Sequence, residues 1–229
     1  MTSQAYRLRP GRKSEASGIC TDLFLDTVGR DALIDILYPT RHKFPVENAT
    51  DIRRLFYRRT WEPNFTFTVC VDSADKPVGF SFWKRPLSSL TFYERWISPY
   101  NWFGSLVRAF LSLRDWLLPL RNLDKKAAKT FVRVYEQVTP QYLNTDQRKN
   151  AHYLSTLVVE PKLQGSGLGT VLLKDGLRKV EEEDPNAPSW LVGVKGVEGF
   201  YGRQGFVEVG RMNVGELSHW GGGAIMIKE

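Results

Sequence analysis

Apolar residues recur at every second position in Phe65, Phe67, Val69 and Val71, and this alternation predicts a half-buried strand over Phe65–Val71. A second strand, Val78–Trp83, follows a turn through Asp72–Pro77, so the pair reads as a hairpin. Ala5–Arg9 alternates in the same way and predicts a short opening strand. The period changes to helical between Glu15 and Tyr38. There Ile19, Leu23, Phe24, Val28, Leu33, Ile34 and Leu37 predict one long or two short helices, ended by Pro39. Thr50–Thr60 predicts another helix, capped by Thr50 or Asp51, with Ile52, Leu55 and Phe56 as its buried stripe.

The later part of the chain repeats the alternation of strand and helix. Tyr153–Val159 is β-rich, Gly169–Glu183 is helical through Val171, Leu172, Leu177 and Val180, and Trp190–Val194 is a further strand. Gly199–Gly205 predicts a short helix, and Phe206–Met212 and Ala224–Ile227 complete the strands. Between the two halves lies Arg85–Asn150, with Trp96, Trp102 and Trp116 and two predicted helices, Trp102–Leu118 and Leu123–Val138. A connection of that length is expected to carry structure or function of its own.

At 229 residues with 42% apolar content, the chain has the material for one compact domain. Two distant cysteines, Cys20 and Cys70, exclude a disulfide framework and predict no metal site, as suits a reducing compartment. Met1–Gly18 holds Arg7, Arg9, Arg12 and Lys13 without an apolar run of signal-peptide length, so a cytoplasmic, non-secreted protein is expected. Trp102–Leu120 comes nearest to a membrane span, but Arg108, Arg114 and Asp115 interrupt it. The net charge of +7 comes from scattered basic residues, among them Arg53, Arg54, Arg58 and Arg59 and then Lys125, Lys126 and Lys129. That scatter argues against a nucleic-acid partner.

The chemistry concentrates in Gln164-Gly165-Ser166-Gly167-Leu168-Gly169-Thr170. It follows a β-rich run and Pro161 and opens a helix. Alternating glycines let the backbone take positive φ and approach a ligand closely. A helix start turns free N–H groups and the positive end of the dipole toward an anion, so a phosphate or pyrophosphate is the expected ligand. The spacing is not the dinucleotide-binding fingerprint, because the third glycine follows the second by two residues rather than three. Nor is it a P-loop, since Gly169 is followed by Thr170 and Val171 rather than Lys-Ser/Thr.

Gln164 through Gly169 resembles the Gln/Arg-x-x-Gly-x-Gly/Ala signature of the GCN5-related N-acetyltransferases, the GNAT superfamily. Phe200-Tyr201-Gly202-Arg203-Gln204-Gly205-Phe206 resembles that family's second signature. The resemblance covers Tyr153–Ile227 closely and Ala5–Arg85 through element order alone. It implies an α/β fold, a central mixed sheet of roughly six or seven strands flanked by helices. Residues 1–229 would form one domain, with 85–150 a helical insertion between the third and fourth strands. It also implies acetyl-CoA as cofactor, its pantetheine paired with main-chain groups of Leu157, Val158 and Val159 and its pyrophosphate on the N–H groups of Gln164 through Thr170.

Tyr201 matches the family's general acid, a phenol placed to protonate or hydrogen-bond the departing sulfur. The base stays open. The family's position falls on Tyr153 or Ser155, and His152, Glu160, Glu198 and His219 are the other titratable candidates. Lys195 stands where many members carry a cofactor-contacting Asn and is expected to reach a cofactor phosphate, with a solvated side chain as the alternative. The implied reaction is acetyl transfer to an amine, most simply a small molecule, by direct attack in a ternary complex. The alternatives are a catalytically inactive acyl-CoA-binding module and a protein resting on a membrane surface through Trp96–Leu120. The insertion is expected to form a helical lid whose Trp96, Tyr100, Trp102, Phe103 and Trp116 line the acceptor pocket, with a homodimer interface as the competing use.

Overall fold

The computed structural model describes residues 6–119 and 122–229. Ala5 of the predicted first strand and Leu120 of the apolar run lie outside the described residues. Seven strands form one sheet in the order β1-β2-β3-β4-β5-β7-β6. They are β1 Arg7–Pro10, β2 Phe65–Val71, β3 Pro77–Lys84, β4 His152–Val159, β5 Ser189–Gly193, β6 Val207–Arg211 and β7 Ala224–Lys228. Among the described residues only β4 and β5 pair in parallel, so the sheet is mixed as expected. The β2–β3 turn is held by Asp72, whose carboxylate accepts from the N–H groups of Ala74 and Lys76, and by Asp75 at φ 61°. Arg7, Arg9 and Arg12 all donate to the Asp75 carboxylate, which pins β1 to that turn.

Helices cover both faces. On one side lie α1 Lys13–Ala16, α2 Ile19–Thr27, α3 Ala32–Leu37 and α4 Pro45–Arg59. The predicted long first helix is broken at Gly18 and again before Asp31, whose side chain caps α3 at Leu33 N–H. Phe56 of α4 packs edge-on against Phe24 and Phe80 and stacks on Phe82. On the opposite face α8 Leu168–Glu183 lies across β3 and β4. Its approach depends on Gly176, where an added Cβ would sit 2.1 Å from Trp83 Nε1. Alanine there gains about 1 kcal/mol of helix propensity, which is smaller than the roughly 1–3 kcal/mol of overpacking against a fully enclosed ring. Gly176→Ala is therefore expected to lower the urea midpoint, and an unchanged midpoint would show that α8 can lift off Trp83 freely.

The start of α4 departs from expectation. Pro45 occupies the first turn and the helix begins there, so Thr50 and Asp51 are interior rather than caps. Thr50 donates back to the Val46 carbonyl, Asp51 is buried, and Leu55 faces solvent at 40% exposure while Ile52 and Phe56 point inward. Burial raises the Asp51 carboxyl from 3.8 to about 6, helped by Asp115 and Glu47 and opposed by Arg54. Because the folded value lies above the unfolded one, the stabilising protonated form is fully present below the unfolded pKa and lost as pH rises through about 6. Asp51→Asn should thus stabilise the protein by about 1–2 kcal/mol near pH 8, with the gain vanishing toward pH 4. Denaturant titrations at both pH values check it.

The insertion holds α5 Pro99–Leu117, α6 Lys125–Tyr142 and α7 Asp146–Lys149. The helix α5 packs on the outer side of α4: Arg108 donates to the Trp61 carbonyl at 2.6 Å, Arg54 donates to the Leu118 carbonyl at 2.6 Å, and Tyr100 donates to the Thr60 carbonyl. Trp96, Trp102 and Trp116 are 60%, 69% and 76% exposed, and Phe103 and Tyr100 are also exposed. The expected aromatic lid is not formed by these residues, because the face of α5 that meets the core is Gly104 and Leu111. It is α6 that reaches the sheet, through Tyr135 beside Trp190 and Phe131 beside Trp220. Among the described residues no helix is long and apolar enough to cross a membrane.

Candidate active site

Parallel pairing of β4 and β5 stops early. His152, Tyr153 and Leu154 face Ser189, Trp190 and Leu191, and beyond them the two strands separate. The cause is visible on the other edge of β4, where Phe82 pairs with Thr156 but Trp83 pairs with Leu154. Ser155 is therefore an extra residue, a bulge that bends the strand and increases its twist. The gap forms a cavity of about 100 Å³ lined by Leu154 to Leu157, Leu191 to Val194, Val197 and Tyr201, with Phe24 and Val28 of α2 closing one side.

Glu160 N–H donates to the Val78 carbonyl, so by strand alternation Val158 also turns its main-chain groups toward β3. Leu157 and Val159 face the open side. Of the three main-chain positions expected to pair with a pantetheine arm, Val158 is thus already used within the sheet. The Val159 carbonyl currently accepts from the Gln164 side-chain amide at 3.3 Å.

The glycine turn follows β4 through a short 3₁₀ turn, Pro161–Leu163. Gly165 and Gly167 stand at φ 81° and 91°, and an added Cβ at either would meet nothing within 4 Å. These glycines serve backbone conformation and leave open space beside the loop. Gly167 is the N-cap of α8, with no side-chain cap and no acidic residue in the first turn. The N–H groups of Gln164 and Ser166 are engaged with the carbonyls of Pro161 and Leu163, both at 3.3 Å. Donors for an anion therefore come from Gly165, Gly167, Leu168, Gly169 and Thr170, the helical ones lacking intrahelical partners. An uncapped, unacidified helix start beside open space fits a pyrophosphate. Gly169 lies against Phe200, which an added Cβ would meet at 3.5 Å, and this ties the turn to α9 Glu198–Gly202.

Tyr201 is buried between Phe200 and Phe206 and lines the gap between β4 and β5. Burial, with a further contribution from Tyr153, pushes its phenol well above the usual range, so it stays protonated as a donor. Lys195 does not join the glycine turn. Its side chain lies along Gly221, whose added Cβ would be 3.1 Å from Lys195 Cδ, and its N–H donates to Asp31. His152 is buried 3.5 Å from Glu183, with neither ring nitrogen hydrogen-bonded, and burial lowers its pKa. Neither it nor Glu198, which neighbours Arg211, is among the residues lining the gap.

The opposite mouth of the gap holds residues that composition alone did not single out. Tyr153 packs against Trp190 with the rings tilted and their centres 4.4 Å apart. Arg59, at the end of α4, donates to Thr156 Oγ1 at 3.0 Å. Beside them a cavity of about 380 Å³ is walled by Glu62, Lys84, Tyr135, Leu143, Tyr153 and Trp190 among others. Its walls include α6, so the insertion does contribute here, through Tyr135 and Leu143 rather than through its tryptophans. The sequence signal for Arg59 was its phase: it follows Ile52 and Phe56 at helical spacing, on the stripe that faces the core.

Comparison with known proteins agrees with this geometry. The family model described as an acetyltransferase (GNAT) domain matches residues 120–216. A search of curated proteins finds no match. Among solved structures, the chain is similar to "histone acetyltransferase HPA2 and related acetyltransferase" from Corynebacterium glutamicum, at 18% identity and TM-score 0.58, covering 98% of this chain and 96% of that one. It is also similar to an acetyltransferase described in the GNAT family from Desulfovibrio desulfuricans, at 14% identity and TM-score 0.52, covering 98% and 99%. A GCN5-related N-acetyltransferase structure from Rhodopseudomonas palustris matches at 15% identity and TM-score 0.52, covering 100% and 98%. At such identities the likeness is one of fold.

Proposed function

We propose that this chain, in which the GNAT acetyltransferase domain model matches residues 120–216 and whose fold is similar to that of solved acetyltransferases, is an acetyl-CoA-dependent N-acetyltransferase acting on an amine by direct attack in a ternary complex. At the family level these comparisons support an acyl-CoA-dependent acetyltransferase. The observation that carries the finer reading is the gap between β4 and β5, which has Tyr201 on its α8–α9 side and Tyr153 with Thr156 on its α2–α4 side. A thioester and an amine could meet there from opposite faces of the sheet.

When bound, acetyl-CoA supplies the activated thioester. The open main-chain edge at Leu157 and Val159 would orient the pantetheine as an added strand does, and the first turn of α8 would hold the pyrophosphate. Tyr201, kept protonated by burial, would donate its proton or a hydrogen bond to the leaving sulfur. The bulge at Ser155 leaves a stretch of β4 unpaired toward β5, and its main-chain groups can bind the reacting carbonyl. The half-buried Tyr153, whose phenol burial raises and Arg59 lowers, is a titratable group on the acceptor side.

The test is a panel of amines offered with acetyl-CoA, following free thiol and acetylated product together. Equimolar thiol and amide with at least one amine is expected. Tight acetyl-CoA binding with no transfer to any amine would instead favour a binding module of the same fold.

A further inference from the structure

Arg59 is an unusual cation. Its guanidinium offers five N–H donors, and the structure uses one of them, on Thr156. Among the described residues it makes no ion pair. It lies 5.6 Å from the ring centre of Phe56 and 5.8 Å from that of Phe65, and burial is the largest influence on its titration. Arg59 is half-buried, and rings supply roughly 0.5–2 kcal/mol to a nearby cation, so its fork keeps donors for a charged partner that would shield it further. Structural arginines elsewhere in this chain are treated differently. Arg9 and Arg85, for example, each bind two carboxylates.

The location gives the four remaining donors a use. Thr156 lines the gap where acetyl transfer would occur, and Tyr153, close enough to feel the charge of Arg59, walls the adjoining cavity. Lys84, 5.8 Å from the same Phe65 ring, lines that cavity too, and Glu62 on its wall favours the charge of Arg59 without forming an ion pair with it. We propose that Arg59 binds a carboxylate of the acceptor, so that the substrate class is an amine that also carries a carboxylate. This rests on the acetyltransferase reading of the same site. A planar fork with four free N–H groups matches a carboxylate in a two-point contact, and Thr156, whose oxygen accepts from Arg59, keeps its own proton to donate.

Two measurements separate this proposal from the reading beneath it. The first compares amino acids with their carboxamides as acceptors in wild type, Arg59→Met and Arg59→Lys. Wild type should prefer the acids. Arg59→Met should raise their KM on the order of 10- to 100-fold while the carboxamides shift less than about threefold, and Arg59→Lys should fall between. Equal use of acids and carboxamides by wild type, or equal losses on both in Arg59→Met, would overturn the proposal. The second needs no turnover: the Nε–Hε resonance of Arg59 is followed on adding N-acetylglycine or N-acetylglycinamide. A saturable shift with the acid alone, absent in Arg59→Met, supports carboxylate binding even if no amine is acetylated, in which case only the transferase reading fails. No shift with either compound refutes the role of Arg59 whatever the transfer assay gives.

Discussion

Gly167→Val is expected to lower acetyl-CoA affinity by at least about 100-fold while the protein remains folded. Gly167 sits at φ 91° as the N-cap of α8. A β-branched residue in that region costs on the order of 1–3 kcal/mol, less than the roughly 5–15 kcal/mol by which domains are usually stable. An added Cβ meets no protein atom within 4 Å, so the fold loses conformational ease without a steric clash. The bound anion is affected quite differently. The open space beside the loop is where the pyrophosphate would approach, and valine methyls would occupy it. Calorimetry with acetyl-CoA, alongside circular dichroism to verify folding, reads the outcome. Unchanged affinity in a folded variant would remove the turn from the binding site.

Tyr201→Phe should show the complementary pattern. The ring keeps its neighbours, Phe200 with centroids 4.9 Å away and Phe206 at 5.8 Å, so packing and cofactor affinity should change little. Only the donor to sulfur is lost. Both kcat and kcat/KM are expected to fall together by about 100-fold, the signature of a contact made in the transition state. Because burial holds the phenol protonated, wild type should show no alkaline loss of rate from this group near neutral pH. Full turnover in the phenylalanine variant would reduce Tyr201 to a packing residue.

How far the sequence could be read depended on whether a feature is local. Phe65–Val71 emerges with the predicted bounds because its alternation and its Asp72–Pro77 turn are local facts. The glycine turn is likewise legible, since positive φ at Gly165 and Gly167 is a property of those residues. The start of α4 was not: Thr50 and Asp51 look like caps, but Pro45 opens the helix earlier and buries Asp51 without a partner for its Oδ2. The bulge at Ser155, which opens the gap, depends on pairing with β3 and has no mark of its own in the sequence. Trp96, Trp102 and Trp116 read as pocket walls by residue type, whereas their exposure follows from which side of α5 meets α4. Arg59 could have been found, as a charge standing in a core-facing stripe.

The most direct test of the account is amide chemical-shift mapping as acetyl-CoA is titrated into the intact protein. The largest changes should fall on Gly165, Gly167, Leu168, Gly169 and Thr170, with a second group at Leu157 and Val159 and little at Val158. The basic face of α6, where Lys125, Lys126, Lys129 and Arg133 surround a separate cavity, should stay quiet. Shifts concentrated on that face, with the glycine turn unmoved, would contradict the account.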